Sequence, residues 1–124
     1  MSTWVFDSPS ARRMHESRRE FVGGLLRDLS GRLGLRSALD AGCGVGFFSA
    51  FLSKLGLKVV AFDAREENVA EAKRRCPDVE FRVADVEDPA LEKLGPADLV
   101  LCFGLLYHLE NPFRAVRSLF SLTG

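Results

Sequence analysis

The 124-residue sequence has no surplus of charge of either sign, with 17 basic against 17 acidic side chains. The two signs are interspersed, so there is no electrostatic footprint for nucleic acid or an anionic membrane, and neither is an expected partner. No apolar run approaches the roughly 18 residues of a membrane span, and the opening "MSTWVFDSPSARRMHESRR" lacks a continuous apolar core ahead of its arginines. Neither export nor membrane insertion is expected. Cysteine is scarce and odd in number: Cys43, Cys76 and Cys102 have neither disulfide nor metal-ligand spacing. Reduced thiols in a cytoplasmic protein, with no metal site, are the expectation. Internal repeats, linkers and low-complexity tracts are also missing.

What is present is a regular alternation of elements in a chain long enough to bury roughly two-thirds of its unfolded surface. Residues 1–8 read as an irregular arm carrying Trp4 and Phe6. Ser8 and Pro9 then look like the N-cap and first position of a helix. Met14, Phe21, Val22, Leu25, Leu26 and Leu29 recur at helical spacing, which predicts an amphipathic helix of about five turns packed over the domain. Strands are expected in "RSALDAG", "KVVAFDA", "VEFRVADV" and "ADLVLCFG". Helices are expected in "GFFSAFLSKLG", "REENVAEAKRR" and "ENPFRAVRSLFSLTG", with a short helical connection in "EDPALEKLG". In the last helix Asn111 caps, Pro112 follows, and Phe113, Val116, Leu119 and Phe120 mark the apolar face. Alternation with short connections is the mark of βαβ units, hence an α/β fold with an open parallel sheet. The expected organisation is an N-terminal arm and helix over residues 1–30 and a ligand-binding domain over residues 31–124.

The stretch "LDAGCGVGFF" ends the first strand in three glycines at alternate positions, Gly42, Gly44 and Gly46. At the carboxyl end of a strand in an open α/β sheet, such a turn holds a small ligand against bare backbone. The dinucleotide fingerprint wants a further glycine where Phe47 stands, which weighs against a nicotinamide cofactor, and no Lys-Ser or Lys-Thr follows to serve a nucleoside triphosphate. Asp63, at the end of the second strand and about 20 residues on, stands where such a site places a carboxylate on ribose hydroxyls. Capping the next helix is the alternative role for the same residue.

Taken together, "LDAGCGVGFFS", "VVAFDAREENVAEAKRR", "VEFRVADVED" and "ADLVLCFGLLYHLENP" resemble the class I S-adenosylmethionine-dependent methyltransferases, in the right order along the chain. The resemblance implies a Rossmann-like sheet. That family carries seven strands in the order 3-2-1-4-5-7-6, of which this chain would hold about four, in the order 3-2-1-4, with helices on both faces. It implies S-adenosylmethionine as cofactor, S-adenosylhomocysteine as product and an acceptor that is an undefined small molecule. Asp40 would lie near the methionine end; Gly42, Cys43, Gly44 and Gly46 would border the aminoacyl part and the sugar; Asp63 would hold the ribose. Ala64 and Arg65 would flank the adenine, Asp85 would accept from its amino group with Val86 facing the base, and Phe103 and Gly104 would lie near the sulfonium. Read from the sequence alone, an Asp at a strand end such as Asp85 more often caps or solvates a turn.

Tyr107 and His108 follow the fourth strand on the rim where a parallel sheet does its chemistry. Histidine titrates near neutrality and suits a general base, while a role in shaping the site fits it as well; Tyr107 reads as a pocket wall. Without the final three strands of the family, "ADLVLCF" would be an apolar edge, which predicts a homodimer or another partner covering strand four. The N-terminal helix folding across the edge, or a chain cut short, would account for it too. Two other functions compete: a noncatalytic cofactor-binding or dimerising remnant, and a nicotinamide-dinucleotide-binding domain.

Overall fold

The computed structural model describes residues 7–103 and 105–124, and of Ser30 and Tyr107 the backbone only. Ser8 and Pro9 start the first helix as their chemistry predicts. The Ser8 hydroxyl accepts the Ala11 N–H at 3.2 Å, and Pro9 stands where a missing N–H costs nothing. This helix, α1 (Pro9–Leu33), has 25 residues rather than the expected five turns. Leu33 carries the spacing of Leu26 and Leu29 one turn further, and the helix stops only at Gly34, whose φ of +61° is left-handed. Between Leu35 and Arg36 the chain divides into two compact units, with α1 in the first. Trp4 and Phe6 of the expected arm lie outside the described residues.

The second unit alternates as its periodicity demands: β1 (Ser37–Ala41), α2 (Phe47–Lys54), β2 (Lys58–Asp63), α3 (Glu66–Arg75), β3 (Glu80–Val83), a 3-10 segment Pro89–Leu94, β4 (Leu99–Cys102), a 3-10 turn Leu106–His108 and α4 (Pro112–Ser121). All pairings are parallel and the strand order is β3-β2-β1-β4. Alternation along β1 sends Leu39 and Ala41 to one face, where they join Phe62, Val86, Leu91, Ala115 and Leu119 in the main core. Asp40, paired across the sheet with Ala61 and Leu101, points to the other face, towards α2. The far end of the sheet is latched by Asp98, whose carboxylate accepts the N–H groups of Arg36 at 2.7 Å and Ser37 at 3.1 Å while the Ser37 hydroxyl accepts the Asp98 N–H. Those amide donors hold the Asp98 carboxyl below its usual range.

Two expectations are corrected here. The buried side of α4 is Ala115 and Leu119, continued by Leu122, whereas Phe113, Val116 and Phe120 are exposed, Phe113 to 82%. Both sets recur at helical spacing, about 120° apart around the axis, so periodicity alone does not choose between them. Contact chooses: Leu122 packs so closely on Gly95 that a Cβ there would lie 2.9 Å from its Cδ2, and this fixes the rotation of the helix. The edge of strand four is also shorter and less bare than expected. The Leu122 carbonyl accepts the Ala97 N–H at 2.8 Å, and the Gly124 N–H donates to the Ala97 carbonyl at 2.9 Å, making a parallel bridge between Ala97 and Thr123. Residues two apart in a strand turn their backbone groups the same way, so the same side of Leu99 and Leu101 faces outwards.

Candidate functional site

The glycines of the β1–α2 turn are required by backbone shape. Gly42, Gly44 and Gly46 have φ of +70°, +57° and +91°, conformations in which a side chain is strained. Two of them also admit close neighbours from within the protein. A Cβ on Gly42 would lie 3.1 Å from that of Leu105, and one on Gly46 would lie 3.0 Å from the Phe81 ring and 3.4 Å from Ala72. What approaches the backbone at these two positions is therefore the protein's own core. Gly42 and Cys43 both donate their N–H groups to the Phe62 carbonyl at 2.9 Å, which ties the turn to the end of β2.

Asp63 carries the tie further. Its Oδ2 accepts the Gly44 N–H at 3.0 Å, and its Oδ1 accepts the Arg65 N–H at 2.9 Å and the Asn68 Nδ2 at 3.2 Å. The carboxylate thus ties Arg65, just before α3, and Asn68, within it, to the middle of the glycine turn. Three of its roughly four acceptor positions are taken, and the one that remains is on Oδ2.

Asp40 is buried on the α2 side of the sheet, and the Ser49 hydroxyl donates to its Oδ2 at 2.7 Å. Burial raises its pKa to about 6 against the lowering effect of Ser49, and the neighbouring Asp63 charge raises it too; no cation is among the groups that act on it. Cys43 is buried beside the pair, and its thiol is pushed well above its ordinary value by burial and by the charges of Asp40 and Asp63. It is an inert, protonated side chain rather than a nucleophile. Its Sγ lies 3.6 Å from the Gly44 carbonyl.

The other sequence-predicted residues are spread around this centre. Phe103, just past β4, stacks edge-on against Phe48 of α2 at 5.0 Å between centroids, and Phe47 meets Phe48 in the same way at 5.2 Å. Ala64 and Arg65 are exposed, and the Arg65 guanidinium pairs with Glu67 at 3.1 Å. Asp85 is exposed and accepts the Glu87 N–H at 3.0 Å, the turn-capping role open to it from the sequence. Val86 is buried in the main core. His108 is exposed, with its N–H donated to the Leu105 carbonyl. Gly104 and the Tyr107 side chain fall outside the described residues. Among the described residues no group of three or more His, Cys, Asp and Glu is placed to hold a metal ion, and no helix is long and apolar enough to cross a membrane.

The sequence model of the family described as "Methyltransferase domain" matches residues 39–123, from the middle of β1 to the bridge at Thr123. The chain belongs to the methyltransferase domain family. A ubiquinone biosynthesis O-methyltransferase of Xanthomonas axonopodis pv. citri (strain 306) is 33% identical across 96% of this chain and 50% of that protein. The chain spans about half the length of the curated relatives it matches. Among solved structures, the N-terminal domain of EvdMO1 with SAH bound superposes with a TM-score of 0.70 at 29% identity, over 81% of this chain and 45% of that one. Magnesium protoporphyrin IX methyltransferase from Synechocystis PCC 6803 with bound SAM gives a TM-score of 0.72 at 24% identity, over 99% and 62%, and shares the fold.

Within this methyltransferase domain the structure brings Asp40, the three glycines and Asp63 into one connected rim. Two members of that rim escape a reading of the sequence: Ser49, fully buried on α2, and Asn68, buried on α3. Each is a polar residue at the core-facing phase of its helix, beside Phe48 and Leu52 in one case and Val69 and Ala72 in the other. That mismatch of polarity and phase was the available signal.

Proposed function

We propose that the chain binds S-adenosylmethionine at the rim of β1 and β2 and transfers its methyl group to a small-molecule acceptor. The observation that carries this reading is the Gly44 N–H held on Asp63 Oδ2 beside a buried Asp40 that no cation among the described residues neutralises. The donor set fits the ligand: a desolvated carboxylate suits an ammonium, and Asp63 retains an acceptor position for a hydroxyl. The family match and the SAH-bound and SAM-bound neighbours support it.

When bound, the sulfonium supplies an electrophilic methyl carbon for in-line displacement. In this reading Asp40 takes the aminoacyl ammonium, and Gly42, Cys43, Gly44 and Gly46 border the aminoacyl part and the sugar. Asp63 takes a ribose hydroxyl, with Ala64 and Arg65 alongside the adenine. Asp85 and the Val86 backbone face the base, and Phe103 and Gly104 line the approach to the methyl group. Tyr107 walls the acceptor side. For an acceptor that must lose a proton, His108 is the base on that rim. Isothermal titration calorimetry is expected to show S-adenosylhomocysteine binding more tightly than NAD; NAD binding more tightly would return the site to the nicotinamide reading.

The setting we infer is cytoplasmic, in keeping with three unpaired thiols. The outward-facing groups of Leu99 and Leu101 are those a second copy of the chain would pair with. Light scattering across a concentration series should then show a dimer; a monomer at all concentrations would dismiss it.

A further inference from the structure

We propose that Ser49 is a positioning residue of the cofactor site: its hydroxyl, donated to Asp40 Oδ2 from inside α2, fixes the carboxylate that meets the aminoacyl ammonium. The inference rests on the cofactor reading above. A serine within a helix ordinarily points to solvent or bonds back to its own preceding turn. Ser49 does neither. It is fully buried between the two apolar positions Phe48 and Leu52, and its 2.7 Å bond leaves the helix altogether to reach the sheet. Burying a hydroxyl at a core position costs stability unless a partner compensates, so its placement is explained by what it does for Asp40.

The groups that face Asp40 from the elements around it show why a donor is needed there. Asp63 approaches from β2 with a like charge, Cys43 from the glycine turn and Cys102 from β4, both thiols being pushed up first by burial and then by the Asp40 charge. Ser49, from α2, is the one group among these that favours the carboxylate over the carboxylic acid. Without it, burial and Asp63 act unopposed, the proton stays on Asp40 to a higher pH, and the neutral acid no longer attracts an ammonium.

The test is calorimetry with S-adenosylhomocysteine between pH 5.5 and 9 on the wild type, S49A, S49C and S49T. It is paired with a carbon-13 titration of the Asp40 carboxyl in the ligand-free proteins. The wild type is expected to lose affinity as pH falls through about 6. In S49A that loss, and the carboxyl midpoint, should move upward by about one pH unit, as expected for removing a hydrogen bond to a charged group. At pH 9 the affinity of S49A should return to within about threefold of the wild type, a difference well under 1 kcal/mol. S49C keeps the volume with a poor donor and should follow S49A, while S49T keeps the hydroxyl and should follow the wild type. A midpoint unchanged in both S49A and S49C, or a loss of affinity equal at every pH, would overturn the role of Ser49. A wild type that takes up no S-adenosylhomocysteine at any pH would overturn the cofactor reading itself.

Discussion

Replacing Asp63 by alanine is expected to lower stability by about 2–3 kcal/mol and to weaken S-adenosylhomocysteine binding at least about tenfold. The side chain accepts three hydrogen bonds that no neighbouring group would replace: from Gly44 in the turn, from the Arg65 N–H and from Asn68 on α3. The Arg65 amide is exposed and can turn to water, so its loss costs little. Gly44 and Asn68 are the costly ones, because both bonds are partly buried and the Asn68 side chain is left under α3 without an acceptor. Loss of affinity follows from loss of the turn as well as from any lost ribose contact. D63N disturbs the clamp as well. It matches Asp63 in size but turns one acceptor into a donor, so either Gly44 or the Arg65–Asn68 pair then faces an N–H group. A denaturation midpoint and a dissociation constant both unchanged in D63A would show that the clamp carries no weight.

Asp40→Asn is expected to act with the opposite sign on stability. An acid that titrates near 6 when folded and at 3.8 when unfolded binds its proton more tightly in the native state. The native state therefore loses stability as pH rises from about 4 to about 6 and regains none of it above, a cost of about 2–3 kcal/mol at neutral pH. An asparagine cannot ionise, and its carbonyl still accepts from Ser49. D40N should accordingly resist denaturant better than the wild type at pH 8, by up to about 2 kcal/mol, and about equally at pH 4. Binding of S-adenosylhomocysteine should meanwhile fall by about ten- to a hundredfold, as a charge-assisted contact becomes a neutral one. A D40N protein less stable than the wild type at pH 8 would mean that the buried charge is better compensated than Ser49 alone allows. The stability surplus in the variant is the amount the native chain gives up to keep an ionised acid in a dry place.

Most of the second unit was legible because each element announces its own limits. Asn111 and Pro112 begin α4 as their chemistry predicts, the Asn111 side-chain Oδ1 accepting the Arg114 N–H at 3.0 Å. The acidic start and basic end of α3 fall where the helix dipole wants them. What could not be read are features settled between elements. Asp98, an unremarkable acid before a strand, becomes a latch only because β4 lies beside β1. The face of α4 depended on Leu122 reaching Gly95, and β3 stopped at Val83 because Asp85 turns the chain just beyond it. At the site, three glycines and two acids were visible as a spacing. Their dependence on Ser49 and Asn68 was not, since a buried polar side chain has no sequence period of its own.

The latch at Asp98 and the clamp at Asp63 also differ in how much chain they close. Asp63 meets Gly44 across 19 positions, whereas Asp98 meets Ser37 across 61. Loop-closure entropy makes the longer ring costlier by about 1 kcal/mol, and contacts far apart in sequence form late. Strands β1 to β3 with their two helices therefore have the shorter route to order, and β4 is expected to join them later. The acids and glycines of the rim all belong to the part with the shorter route, so the site's backbone is expected to be set before the strand that carries the chain towards His108 docks.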